Sequence, residues 1–190
     1  MRYSICLELG DAAKAPLIDF QAKLKAKFDF LSPIAPEGLF AVMKFLGEPG
    51  PVKVKSLVAS LEESSKHSAP FDMTISGLGC FPNDGPARVV WASVTDSFHM
   101  LARLHKDCNE RYARLGFDKN SSDFIPHIVL GRAQTNNSKG RLRKAVMDAR
   151  WEPIIQRVTH VSLVSSDVTK DGTRYEVVAT KALEATVHGA

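Results

Sequence analysis

Apolar positions recur at two different spacings along the chain, and the switches between them mark out the elements. Residues 2–9 alternate loosely and read as a strand. After Gly10-Asp11, the residues Leu17, Phe20, Leu24 and Phe28 share one helical face, with Lys23, Lys25 and Lys27 outside it. Residues 28–34 read as a short strand, Pro36-Glu37-Gly38 as a turn, and Leu39 to Leu46 as a second full strand. Gly47 to Pro51 breaks it, and Pro51 is placed to start a helix whose apolar face is Val54, Leu57, Val58 and Leu61, ending near Ser65. Residues 70–78 and 87–94 read as strands joined through the turn formers of residues 81–86.

Thr95, Asp96 and Ser97 offer caps for a long helix with the stripe Phe98, Leu101, Leu104, Cys108 and Tyr112. His99 and His105 read as surface or flanking positions of that helix. Gly116 closes it, and residues 117–123 form a polar loop into a strand around His127. Residues 134–138 form another loop, followed by a helix with Leu142, Ala145 and Val146 inward. A hairpin of residues 158–165 and 173–180 is expected around Lys170-Asp171-Gly172. The order falls into two similar halves with no linker-like shift between them. It predicts one α+β domain over residues 1–183, bilobal, with 184–190 a frayed tail.

Composition narrows the class. The 190 residues are 44% hydrophobic and 24% charged, ordinary for a soluble globular chain, and no apolar run approaches the ~20 residues that span a bilayer. Glu8 interrupts the first apolar segment, so it reads as a strand and not as a signal peptide. Cys6, Cys80 and Cys108 are odd in number and lack a C-x-x-C spacing, which predicts reduced thiols in a cytoplasmic protein. The net charge of +4 permits a polyanionic partner without requiring one. The basic clusters Lys23–Lys27 and Lys139–Lys144 both fall in expected helices, where solvated charge is routine.

Candidate chemistry sits in two stretches. Phe124-Ile-Pro-His-Ile-Val-Leu-Gly-Arg132 places His127 and Val129 on one face of a strand, with Pro126 at its start, where a missing N–H costs least. Leu39-Phe-Ala-Val-Met-Lys-Phe-Leu-Gly47 has the same layout, with Phe40 and Val42 sharing a face.

Pro126-His-Ile-Val-Leu-Gly-Arg132 resembles the second signature, Pro-His-x-Thr-Leu-x-Arg, of the two-histidine phosphoesterases in their 2′-5′ RNA ligase and RNA 2′,3′-cyclic phosphodiesterase branch. Phe40-Ala-Val-Met-Lys-Phe-Leu-Gly47 resembles the first signature, His-x-Thr-Leu-Lys-Phe-Leu-Gly. Gly77–Pro82, Pro86–Ala92, Val161-Ser-Leu163 and Arg174–Val178 extend the likeness along most of the chain. The resemblance implies two antiparallel sheets with flanking helices about a pseudo-twofold axis, the signature strands lining a central cleft. It also implies a cytoplasmic monomer acting on RNA with a terminal 2′,3′-cyclic phosphate or on a nucleotide, with no cofactor and no metal.

The family's reaction is in-line phosphoryl transfer. One His acts as general base toward water and the other as general acid toward the leaving ribose oxygen, while two Thr hydroxyls bond the phosphate oxygens. This chain has Phe40 in place of the first His, and Val42 and Val129 in place of the Thr residues; His127 alone remains. By resemblance Arg132 contacts phosphate, as its fork of donors suits, and Phe45 stacks on a base. Read without the resemblance, Arg132 is a surface arginine after a strand and Phe45 a core residue. Strict alternation puts Phe45 on the face opposite Phe40, and puts Lys44 on the Phe40 face, either near a phosphate or solvated. The reading is a divergent RNA 2′,3′-cyclic phosphodiesterase-like protein with weak or no standard activity. The alternative is a non-catalytic binder of RNA ends or nucleotides.

Overall fold

The computed structural model describes residues 1–50, 52–119, 124–133, 140–170 and 172–185. In chain order the elements are β1 (Arg2–Glu8), α1 (Asp11–Lys27), β2 (Leu31–Pro33), a 3-10 turn at Pro36–Gly38, β3 (Phe40–Gly47), α2 (Val54–Lys66), β4 (Phe71–Phe81) and β5 (Val89–Thr95). Then come α3 (Met100–Ala113), β6 (His127–Ala133), α4 (Arg141–Met147), β7 (Ile154–Val158), β8 (His160–Thr169) and β9 (Gly172–Ala182).

The strands run β7-β4-β5-β6-β3-β1-β8-β9, with β2 added to β6. Every pairing is antiparallel. The two expected sheets are the halves of this order, joined through one residue pair, Ala41 with Ile128. That narrow seam lets each half twist separately, as strand chirality demands. Helices cover one face: α1 packs on β2, β6 and β7, α4 on β4, α3 on β3, and α2 on β8 and β9. Their apolar stripes, such as Leu57 and Leu61 or Leu101, Leu104 and Cys108, close the core. The opposite face of the sheet is left concave. No helix among the described residues is long and apolar enough to cross a membrane.

Several expectations need correction. Asp96 does cap the long helix, its carboxylate accepting from the N–H groups of Met100 at 2.6 Å and Leu101 at 3.1 Å. The helix starts at Met100, however, after His99 in a left-handed turn with φ 57°. Phe98 therefore falls outside the stripe and is 75% exposed. His105, expected at the surface or flanking the apolar stripe, is buried and bonded. The hairpin is longer than expected, and Ile154–Val158 forms its own edge strand against β4. Glu184 and Ala185 are tied by their N–H groups to the carbonyls of Ser65 and Ser68, so the chain is anchored past Leu183. Pro51, the middle of the loop before His127, the loop at 134–138, Asp171 and the last five residues lie outside the described residues.

Candidate functional site

The cleft is built on two strands that repeat one another. Along β3 the burial runs half, full, half, full, full, exposed from Phe40 to Phe45, and along β6 the same sequence runs from His127 to Arg132. The cause is a bulge in each. On β3, Ile5 pairs with Lys44 while the next residue, Cys6, pairs with Val42, so Met43 is extra. On β6, Val90 pairs with Gly131 and Trp91 with Val129, so Leu130 is extra. Side chains alternate faces along a strand, and one added residue resets the parity. Phe45 thus returns to the face of Phe40 and Val42, and Arg132 to the face of His127 and Val129.

The carbonyl of each extra residue is met by a buried polar side chain from the overlying helix. His105 of α3 donates from Nδ1 to the Met43 carbonyl at 2.7 Å. Gln21 of α1 donates from Nε2 to the Leu130 carbonyl at 2.6 Å and to that of Ile34 at 2.9 Å. The bulge on β3 also turns Lys44 away from the cleft into the protein, where it is 1% exposed. Its ammonium donates to Asn109 Oδ1 at 2.6 Å and to the Asp118 carbonyl at 2.8 Å. Burial lowers its pKa, opposed by the nearby Cys108 and Asp118. Neither reading of Lys44 from alternation holds.

The residues singled out in the sequence come together. Phe40, Val42, Phe45, His127, Val129 and Arg132 line one cleft of about 440 Å³, within the range of small-ligand sites. Phe45 is 55% exposed, so it is a cleft residue and not a core residue. His127 Nδ1 donates to the Ile125 carbonyl at 2.7 Å, which places the ring proton there and leaves Nε2 as the basic nitrogen. The imidazole stands edge-on to Phe81, 5.3 Å between centroids, and to Trp91 at 6.0 Å. Trp91 lies flat over Gly79, where a Cβ would come within 2.3 Å of its ring. Phe40, at the equivalent step, makes an edge contact with Tyr175 at 5.5 Å.

Five lining residues carry polar chemistry that the sequence did not flag: Arg2, Ser4, Ser166, Thr173 and Tyr175. They come from β1, which pairs with β3, and from β8 and β9, which follow β1 in the sheet order, so the curl of the sheet brings them to the cleft. Only Tyr175 falls in a stretch that carries the likeness, Arg174–Val178, and nothing there marks it as a site residue. With Arg2, Arg132 and His127 present, and no carboxylate among the described lining residues, the cleft favours an anion. Its floor, Phe40, Val42 and Val129, offers no side-chain donor.

A sequence profile of the 2′-5′ RNA ligase superfamily matches residues 40–170, a stretch that holds both bulged strands. The chain is 25% identical over 176 residues to the RNA 2′,3′-cyclic phosphodiesterase of Methanothermobacter thermautotrophicus, covering 92% of this chain and 95% of that one. It is 30% identical over 137 residues to the protein of the same name from Archaeoglobus fulgidus, covering 72% and 75%. A solved structure from Thermus thermophilus has the same fold, with TM-score 0.80 at 24% identity over 97% of this chain and 98% of that one. So does E. coli LigT complexed with 3′-AMP, with TM-score 0.72 at 23% identity and the same coverage. The chain belongs to the 2′-5′ RNA ligase superfamily.

Proposed function

We propose that this protein recognises RNA ends bearing a 2′,3′-cyclic phosphate, or the related nucleotides, and hydrolyses them weakly or not at all by the two-histidine route. The observation that carries the reading is Phe40 standing at the step of β3 that His127 occupies on β6. In-line displacement needs proton transfer on both sides of phosphorus, and a phenyl ring transfers none. Each positioned acid or base supplies ~10²–10⁴-fold, so the loss of one costs about that much in rate. Val42 and Val129 remove two further donors to the phosphate. Such losses weaken turnover more than they weaken attachment, since Arg2, Arg132 and the Phe45 ring still face the cleft. The curated relatives are named for the cyclic phosphodiesterase reaction, which supports an RNA end as the ligand.

The test is equilibrium binding of a short RNA ending in a 2′,3′-cyclic phosphate, at several salt concentrations. Binding that weakens as salt rises is expected, because attachment to phosphate releases counterions. Absence of binding even at low salt would reject the RNA-end site.

A further inference from the structure

Resting on the reading of the cleft as a phosphate site, we infer that Tyr175 donates a hydrogen bond to the bound phosphate, supplying a hydroxyl where Val42 and Val129 supply none. Tyr175 starts far from the signature strands. In register it pairs with Ser166 of β8, which pairs with Arg2 of β1. Its side chain nevertheless crosses the concave face, and its ring meets that of Phe40 on β3 at 5.5 Å and 83°.

Gly38 makes that reach possible. A Cβ there would lie 2.4 Å from Tyr175 Cε2 and 2.8 Å from Cζ, the atom that carries the hydroxyl. The phenol end therefore fills the space of an absent side chain on the turn that leads into β3. The same cleft holds His127 and Arg132. Burial raises the pKa of the phenol, with Arg132 and the Thr173 hydroxyl acting against it. The group thus keeps its proton through the neutral range and is available as a donor. A guanidinium and a phenol O–H that line the same cleft can share one phosphate. The first brings charge and the second fills an oxygen that the valine floor leaves unbonded. No proton needs to leave the phenol for this role.

Tyr175→Phe keeps the ring and its contact with Phe40 and deletes only the hydroxyl. The experiment compares a short RNA ending in a 2′,3′-cyclic phosphate with the same RNA ending in hydroxyls, against wild type, Tyr175→Phe and Arg132→Ala. The expected result is a loss of about 10- to 100-fold for the phosphate end in Tyr175→Phe, the range of one hydrogen bond to a charged group, with little change for the hydroxyl end. Gly38→Ala, which displaces the phenol while keeping Tyr175, is expected to lower the same preference. In the Tyr175→Phe background it should lower it no further. If Arg132→Ala weakens the phosphate end and neither Tyr175→Phe nor Gly38→Ala does, the role of Tyr175 is overturned and the phosphate cleft stands. If neither RNA binds wild type, both fall together.

Discussion

Phe40 and His127 occupy equivalent steps of two strands that meet at a single pair, Ala41 with Ile128, and each lies five residues before a side chain that a bulge returns to the cleft. The scaffold that would hold two facing imidazoles is therefore present, with one imidazole on it. Phe40→His combined with Val42→Thr and Val129→Thr rebuilds the missing groups on that scaffold. The expected outcome is a gain of about 10²-fold or more in hydrolysis of 2′,3′-cyclic phosphate ends, the typical worth of one acid or base. A triple variant that folds, binds the RNA and stays as slow as wild type would show that the β3 position is not aligned for the reaction.

Attachment should divide between charge and stacking. Arg132→Ala is expected to weaken binding of phosphate-ended RNA and to reduce the slope of log affinity against log salt by about 1. Phe45→Ala is expected to leave that slope alone and to cost ~1–3 kcal/mol in binding that depends on the terminal base. Titrations of base-bearing and abasic ends at several salt concentrations check both.

The two halves of the site are unequally legible in the sequence. The strands, the resemblance and the set Phe40, Val42, His127 and Val129 follow from spacing and motif, because a two-residue period is local. Strict alternation sets Phe45 and Lys44 on the wrong faces, because a bulge depends on the partner strand and leaves no mark in its own sequence. The roles of His105 and Gln21 stay hidden for a related reason. Each is a polar residue on an apolar helix face, and its partner carbonyl exists only once a bulge has formed 62 or 109 residues away. Tyr175 belongs to the same class, since its place in the cleft comes from curling of the sheet. Apolar spacing misplaces Phe98 because capping by Asp96 starts the helix later than that spacing suggests.

Gln21 gives a test of the bulge from a residue that does not itself line the cleft. Gln21→Met keeps the volume and removes both donors, leaving the Leu130 carbonyl with only the Ile34 N–H at 3.0 Å. Stability should fall by about 1–3 kcal/mol, the cost of losing two hydrogen bonds to backbone carbonyls. Binding of phosphate-ended RNA should weaken as well, because Arg132 follows the bulge. Denaturant unfolding and RNA titration of the same variant check the pair of effects. Lower stability with unchanged binding would show that Arg132 is held by other contacts.

Burial pushes the Cys108 thiol up to about 12 from an ordinary 9.0. The folded protein therefore retains a proton that the unfolded chain releases first. This contribution to stability is complete below pH 9.0 and is lost as pH rises toward about 12. Lys44 acts with the opposite sign, since its lowered pKa makes the unfolded chain the better proton binder just below 10.5. Cys108→Ala should lower stability at neutral pH through lost packing and yet make its decline above pH 9 shallower. Denaturant unfolding from about pH 8 to about pH 11 checks this, and equal slopes in the two proteins would contradict it.

The most direct measurement is the rate at which the wild-type protein opens a 2′,3′-cyclic phosphate on a short RNA at neutral pH, with the RNA 2′,3′-cyclic phosphodiesterase of Archaeoglobus fulgidus assayed alongside. One proton-transfer group in place of two predicts a rate at least ~10²-fold below that enzyme. A comparable rate that disappears in His127→Ala would contradict the account, because a second acid or base would then have to face His127 across the cleft.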